Sequence, residues 1–292
     1  MKKYNKIISC ACAFSMSLFF ACENTIPFEI EETPQKLIVS ALLDASVDTH
    51  KILLNLTATE DVEPVENGEI DIYINGVLKE SVHELTQSSE WGRPHEYIAH
   101  CQFTPGDNVR LEARTKDGKH NAYAEVTVPH PIEIEKIDTL FVETTRGYNY
   151  YRVKTTFTDD PQRKDYYRIA MDKVFTYYGT SNETGNDTVF VSIEPSSLII
   201  REDVVLTEGQ PGTMEDNDDF MSSSSQNSHA IFDDTRLSGT YTMTTSIPFY
   251  LSYFYPGILI KSFSLDIHVK LISLCEAEYY YMRALNIYDS YG

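Results

Sequence analysis

The residues best placed to do chemistry lie near the amino terminus, in the string Phe19-Phe20-Ala21-Cys22. A cysteine directly after a small residue, closing an uncharged apolar run, is the pattern of a lipobox: the thiol takes up diacylglycerol and signal peptidase II cuts before it. Position −3 is Phe19, where leucine is usual. The run from Ile7 to Ala21 carries no charge and follows the basic start Met1-Lys2-Lys3-Tyr4-Asn5-Lys6. Its 15 residues fall short of the ~20 needed to cross a bilayer as a helix, and Glu23 follows almost at once. Residues 1–21 are therefore expected to be a signal peptide that is removed. Cys10 and Cys12 leave with it, since either as acceptor would make the apolar region too short. An ordinary secretory signal with an incidental cysteine competes with this reading; the agreement in spacing of basic start, apolar run and small-residue–cysteine pair favours lipidation at Cys22.

Elsewhere, candidate chemistry is thin. The chain has no GxSxG elbow to expose a serine nucleophile, no HExxH zinc pair, no Walker phosphate loop and no GxGxxG, which argues against the commonest hydrolases and nucleotide-using enzymes. Glu215-Asp216-Asn217-Asp218-Asp219 clusters carboxylates, but it lacks the glycine and glutamate of an EF-hand loop and reads better as a solvated acidic loop. His95, His100 and Cys101 supply soft ligands in one segment, yet in a strand His100 and Cys101 point to opposite faces. No metal or cofactor site is expected. After processing, only Cys101 and Cys275 remain as thiols, each in a strand-like segment. Two buried free thiols are favoured, and a bridge between them stays open. There are 20 tyrosines, with clusters at Tyr148, Tyr150, Tyr151 and at Tyr250, Tyr253, Tyr255. Tyrosine suits sugar, peptide or protein surfaces, but its β-propensity makes sheet packing the main expectation. Three glycosylation sequons, at Asn55, Asn182 and Asn186, are read as coincidental behind a bacterial lipobox.

The formal charge is −20, and loss of Lys2, Lys3 and Lys6 takes the mature chain to −23 (−20 minus 3). So acidic a body repels nucleic acid and anionic lipid headgroups, and no nucleic-acid partner is expected.

The elements that must carry any site are mostly strands. Residues 22–34, with Glu29, Glu31 and Glu32 between prolines, have the composition of a tether that cannot bury enough apolar surface to fold. Leu37-Ile38-Val39 and Ile52-Leu53-Leu54 are apolar runs. Ile70 to Ile74 alternates into Asn75-Gly76, the pair best able to take the positive φ angles of a type I′ turn. Val109, Leu111 and Ala113 alternate up to Asp117-Gly118, and Ala122, Ala124, Val126 and Val128 alternate on the return. Residues 35–130 are thus expected to form an antiparallel sandwich of immunoglobulin-like or prealbumin-like kind, ended by Pro129-His130-Pro131. Residues 131–292 are expected to be a second β-rich domain. In it, Tyr150–Thr158 and Tyr166–Tyr178 flank Asp159-Asp160-Pro161 as a hairpin, and Thr207 to Asn227 reads as a long loop. Phe263, Leu265, Ile267, Val269 and Leu271 alternate with polar residues in the clearest strand. Glu276 to Tyr288 is the one helix candidate, with Ala277, Tyr281, Ala284, Leu285 and Tyr288 on its packed side.

Several strings follow one another in a fixed order: Cys22-Glu23 leading to Lys36-Leu37-Ile38-Val39; Pro64-Val65-Glu66-Asn67-Gly68; Pro105-Gly106-Asp107 before Val109-Arg110-Leu111-Glu112-Ala113; Val128-Pro129; Asp165-Tyr166-Tyr167-Arg168-Ile169; Phe232-Asp233-Asp234; and Ala277-Glu278-Tyr279-Tyr280-Tyr281. Taken in that order they resemble Bacteroidota outer-membrane lipoproteins of the domain-of-unknown-function family DUF4249. The resemblance implies genes lying beside those for TonB-dependent receptors, no assigned catalytic residues, and a further segment past the helix, so that the second domain is expected to be incomplete at its carboxy end. The acidic residues after Cys22 likewise resemble the signal that sends such lipoproteins to the cell's outer face. Three functions follow as expectations. The first is a non-enzymatic, surface-anchored accessory or ligand-capture partner of a TonB-dependent receptor in nutrient uptake, with a small-molecule, glycan or peptide ligand. The second is an adhesion or structural module of the envelope; the third is an enzyme with two carboxyls about 5–10 Å apart.

The anchor is directly testable. Mass spectrometry of the mature protein is expected to find Cys22 at the amino terminus carrying diacylglycerol, and Cys22→Ser to release the body from the membrane; an unmodified cysteine, or a serine variant that stays attached, refutes lipidation.

Overall fold

Alternating apolar residues and turn-forming pairs lay out the first half of the chain. The computed structural model describes residues 34–58, 62–86, 96–144, 149–209, 227–249 and 257–291, the last three by backbone alone. The signal peptide, Cys22 and the acidic tether up to residue 33 lie outside them. So do His95, Tyr148, the acidic run Glu215–Asp219 and the cluster Tyr250, Tyr253, Tyr255. The described chain is mainly β, with antiparallel sheets and one carboxy-terminal helix.

The first nine strands are β1 (Leu37–Ala41), β2 (His50–Leu56), β3 (Glu63–Pro64), β4 (Gly68–Ile74), β5 (Val77–Val82), β6 (Leu85–Thr86), β7 (Glu96–Ala99), β8 (Asn108–Thr115) and β9 (Asn121–Thr127). They form two sheets, β1-β2-β7-β6 with β3 beside β2, and β5-β4-β8-β9. Ile70, Ile72 and Ile74 on β4 and Val109, Leu111 and Ala113 on β8 point into one core with Ile52, Leu54, Tyr97 and Ala99 of the facing sheet. Asn75 and Gly76 both have positive φ, 52° and 77°, as the type I′ turn requires. Between the layers the Tyr97 hydroxyl donates to the Val65 carbonyl (2.8 Å) and accepts from the Gly68 N–H (2.7 Å). A Cβ on Gly68 would stand 2.5 Å from Leu54 Cδ1, so only glycine lets β4 approach that closely.

The remaining elements are β10 (Ile134–Val142), β11 (Tyr150–Thr158), β12 (Tyr166–Ser181), β13 (Asp187–Pro195), β14 (Ile231–Asp233), β15 (Thr240–Pro248), β16 (Ile258–Leu274) and α1 (Glu276–Tyr291). β10-β11-β15 make one sheet, and β12 pairs with β13, β14 and β16 in the other. Since β16 runs along β12 from Tyr166 to Ser181, β13 and β14 share its opposite edge.

The hairpin expected at Asp159-Asp160-Pro161 is not formed. β11 pairs with β10 and β15, and β12 with other strands, so this turn carries the chain from one sheet to the facing one. Both strands bury every second side chain, Val153 and Phe157 on one and Tyr167, Ile169 and Met171 on the other, and these rows meet across a shared core. The Tyr167 hydroxyl fastens the corner by donating to the buried Asp159 carboxylate at 2.6 Å. Burial, with the neighbouring charges of Asp234, Asp165 and Asp160, raises the Asp159 pKa.

The expected packed face of α1 is also displaced. Tyr279, Met282 and Asn286 are buried, whereas Tyr281 and Tyr288 are 58% and 76% exposed. Tyr279 stacks on Tyr166 (ring centroids 4.6 Å apart). Asn286 accepts from the Ser228 hydroxyl (3.0 Å) and the His229 N–H (3.1 Å) and donates to Asn227 (3.0 Å). A polar residue thus turns the helix, and apolar periodicity pointed to the wrong side.

The corner predicts a pH effect. A carboxyl whose pKa is raised on folding favours the folded state below its unfolded pKa and loses that advantage as pH rises, so ionised Asp159 costs stability at neutrality. Asp159→Asn keeps an acceptor for Tyr167 and is expected to raise the urea midpoint at pH 7, with the gain shrinking toward about pH 4; a lower midpoint at pH 7 contradicts this.

Candidate functional site

The strongest candidate for a working surface is the sheet built on β12. Its inward row holds Ile169, Met171, Phe175 and Tyr177, all nearly inaccessible. Phe175 and Tyr177 stack with centroids 5.7 Å apart, and Phe190 of β13 and Phe263 of β16 flank Tyr177 at 6.4 and 6.3 Å.

The outward row is different. Register pairs Tyr178 with Val189, Thr176 with Val191 and Val174 with Ile193. Val189, Val191 and Ile193 stand 59%, 52% and 66% exposed. Beyond β12 the same face changes character, since β16 presents Ser262, Ser264, Asp266, His268 and Lys270 there. One edge of this face is apolar and the other is charged. A contiguous apolar strip on an acidic protein marks a contact surface more often than a solvated one.

Two hollows were weighed against it. One of about 280 Å³ lies at the Asp159 corner, lined by Glu133, Glu135, Thr158, Asp160, Arg163 and Tyr167. Four of its polar groups are engaged in pairs: Thr158 donates to Glu135 (2.6 Å), and Arg163 pairs with Asp160 (3.4 Å). The second, about 550 Å³, lies between Glu63–Asn67 and Thr115–His120 at one end of the first sandwich. There Thr115 donates to Asp117 (2.7 Å) and Lys119 pairs with it (3.1 Å), which holds the Asp117 carboxyl well below its usual range. Neither hollow is lined by any of the buried, unpartnered polar atoms found among the described residues.

Of the residues singled out in the sequence, Cys101 and Cys275 are both free. Each lies just past a strand end rather than within a strand. Cys101 is buried in the first core, where desolvation, helped by Glu80, pushes its thiol up to about 11, and Cys275 is raised by burial too. Both are poor nucleophiles at neutral pH. His100 is exposed while Cys101 is buried, so the two do not face one site. Among the described residues, no group of three or more His, Cys, Asp or Glu side chains is arranged to hold a metal. Nor is any described helix long and apolar enough to cross a membrane. Tyr150 is buried and Tyr151 half-buried, the latter packed 4.9 Å from Phe141, so these two serve the sheet. Sequence reasoning missed β13; its signal was apolar side chains of both parities at Val189, Phe190 and Val191.

The family model described as "Domain of unknown function (DUF4249)" matches residues 23–292. The chain belongs to the DUF4249 family. No curated protein matches it. Among solved structures, one described as the basis for promiscuous specificity of carbohydrate-binding modules of the β-sandwich superfamily is similar at 10% identity. That match covers 84% of this chain and 100% of the other, with a TM-score of 0.18.

In this DUF4249 protein the outward β13 side chains are expected to be dispensable for folding. Val191→Lys and Ile193→Lys should each change unfolding free energy by no more than about 0.5 kcal/mol; a loss above about 2 kcal/mol in urea titration would show that the strip is core.

Proposed function

We propose that this DUF4249 protein is a non-enzymatic outer-membrane lipoprotein, held at the cell surface by lipid on Cys22, that acts as an accessory or ligand-capture partner of a TonB-dependent receptor in nutrient uptake. The observation that carries the reading is the apolar outward strip of β13, where Val189, Val191 and Ile193 line up on one face, each more than half exposed, on a chain of net charge −20. Removing that strip from water gives a partner protein a driving force, while the surrounding negative charge discourages nucleic acid and anionic lipid. Supporting it are the lipobox and the receptor-linked gene neighbourhood that the family resemblance implies.

The test is recovery of the tagged protein from native membranes after cross-linking. A TonB-dependent receptor is expected to come with it, and Val191→Lys combined with Ile193→Lys to lower the yield severalfold without lowering the amount of folded lipoprotein. Failure to recover any such receptor, even cross-linked, overturns the reading. A deletion that impairs surface attachment but leaves nutrient uptake unchanged would point instead to an envelope module.

A further inference from the structure

The edge of the β12 sheet opposite β13 carries a second and independent inference. β16 is 17 residues long and, among the described residues, pairs with β12 alone. A long unpaired edge is a template for another strand unless something blocks it. The side chains of β16 that face the core, Leu265, Ile267, Val269 and Leu271, are only half-buried, and three of them pack against the core from one side only as the sheet ends there. Burial on this strand is unfinished.

The outward row says which strand would finish it. Asp266, His268 and Lys270 follow one another at alternate positions. When a second copy of β16 lies antiparallel with His268 opposite itself, Asp266 of each copy faces Lys270 of the other, twice over. The same register sets Leu265 against Leu271 and Ile267 against Val269 on the inward face. Centring the pair on Asp266 or on Lys270 would instead oppose like charges, and centring it on Ile267 or Val269 would leave both Asp266–Lys270 pairs unmade, so the charges favour the register centred on His268. Within one chain Lys270 pairs with Asp172 of β12 at 2.6 Å, and Asp266 has no ion-pair partner among the described residues. Repulsion between two acidic bodies is screened beyond about 8 Å at physiological salt, whereas directly opposed residues sit about 4.5–5.5 Å apart.

We propose that two copies of this chain associate through antiparallel β16–β16 pairing centred on His268, which joins their β12 sheets into one continuous sheet. This stands apart from the receptor reading and holds or fails without it. The test places a cysteine at the symmetry point in the full-length protein in its own membranes. Opposed residues at this spacing fall within disulfide reach. His268→Cys under mild oxidation should therefore give a covalent dimer, at a yield well above that of Tyr123→Cys, which lies on β9 and is 69% exposed. Adding Asp266→Lys to His268→Cys should cut the dimer about tenfold by turning two attractions into repulsions. Adding Lys270→Asp as well should restore it, because the new lysine also lies diagonal to Asp172. Equal yields from His268→Cys and Tyr123→Cys, or a dimer insensitive to Asp266→Lys, overturn the proposal.

Discussion

The carboxy-terminal half depends on β12 being paired along both of its edges. Its 16 residues satisfy their backbone groups toward β16 on one side and toward β13 and β14 on the other, so its inward row can be buried without an unpaired polar backbone group. Each large side chain in that row contributes roughly 1.5–3 kcal/mol by leaving water. Lys173 shows how strict the row is. It occupies an inward position, is 9% exposed, and is tolerated because its ammonium reaches Glu194 (3.7 Å) while lying 5.9 Å from the Phe175 ring. The stem stays with the apolar row and the charge escapes to the rim.

How much of this could be read in advance follows from how local each signal is. The Asn75-Gly76 hairpin was legible because two adjacent residues with positive φ set the turn, and the Asp117-Gly118 hairpin because Gly118 takes positive φ between two alternating strands. The alternation from Phe263 to Leu271 was legible because it spans enough residues to exclude a helix. Asp159-Asp160-Pro161 says that the chain turns, but not whether the flanking strands then pair or face each other. In the structure the edges of β11 are taken by β10 and β15, and one edge of β12 by β16, so the two flanking strands face each other instead. The α1 face was misjudged for a similar reason: burying Asn286 makes sense only beside Asn227, Ser228 and His229, 57 to 59 residues earlier.

The candidate surface was harder still. Val189-Phe190-Val191-Ser192-Ile193 is an ordinary strand string, and nothing within it tells whether a further layer covers its outward side. That depends on how many sheets the chain can stack. The described residues provide two in this half, so the β13 row that points away from the facing sheet meets solvent. Exposure of an apolar row is a property of the layer count, not of the row. The lipidation proposed at Cys22 is the reverse case, since the argument for it rests on the residues around the cysteine and on no tertiary structure.

The two edges of the β12 sheet also differ in the selectivity they can offer. An apolar strip such as that on β13 attracts many partners weakly, because burial is non-directional. A charge pair spaced about a centre, as Asp266 and Lys270 are about His268, adds little energy but favours one register over those that oppose like charges or leave both pairs unmade. On the proposed lipid anchor, both surfaces would work among neighbours confined to the same membrane. Confinement raises effective concentration, so contacts too weak to hold two proteins together in solution can suffice at a surface. On the proposed reading, a shallow strip and a single strand edge are then enough to hold the body beside a neighbour in that membrane.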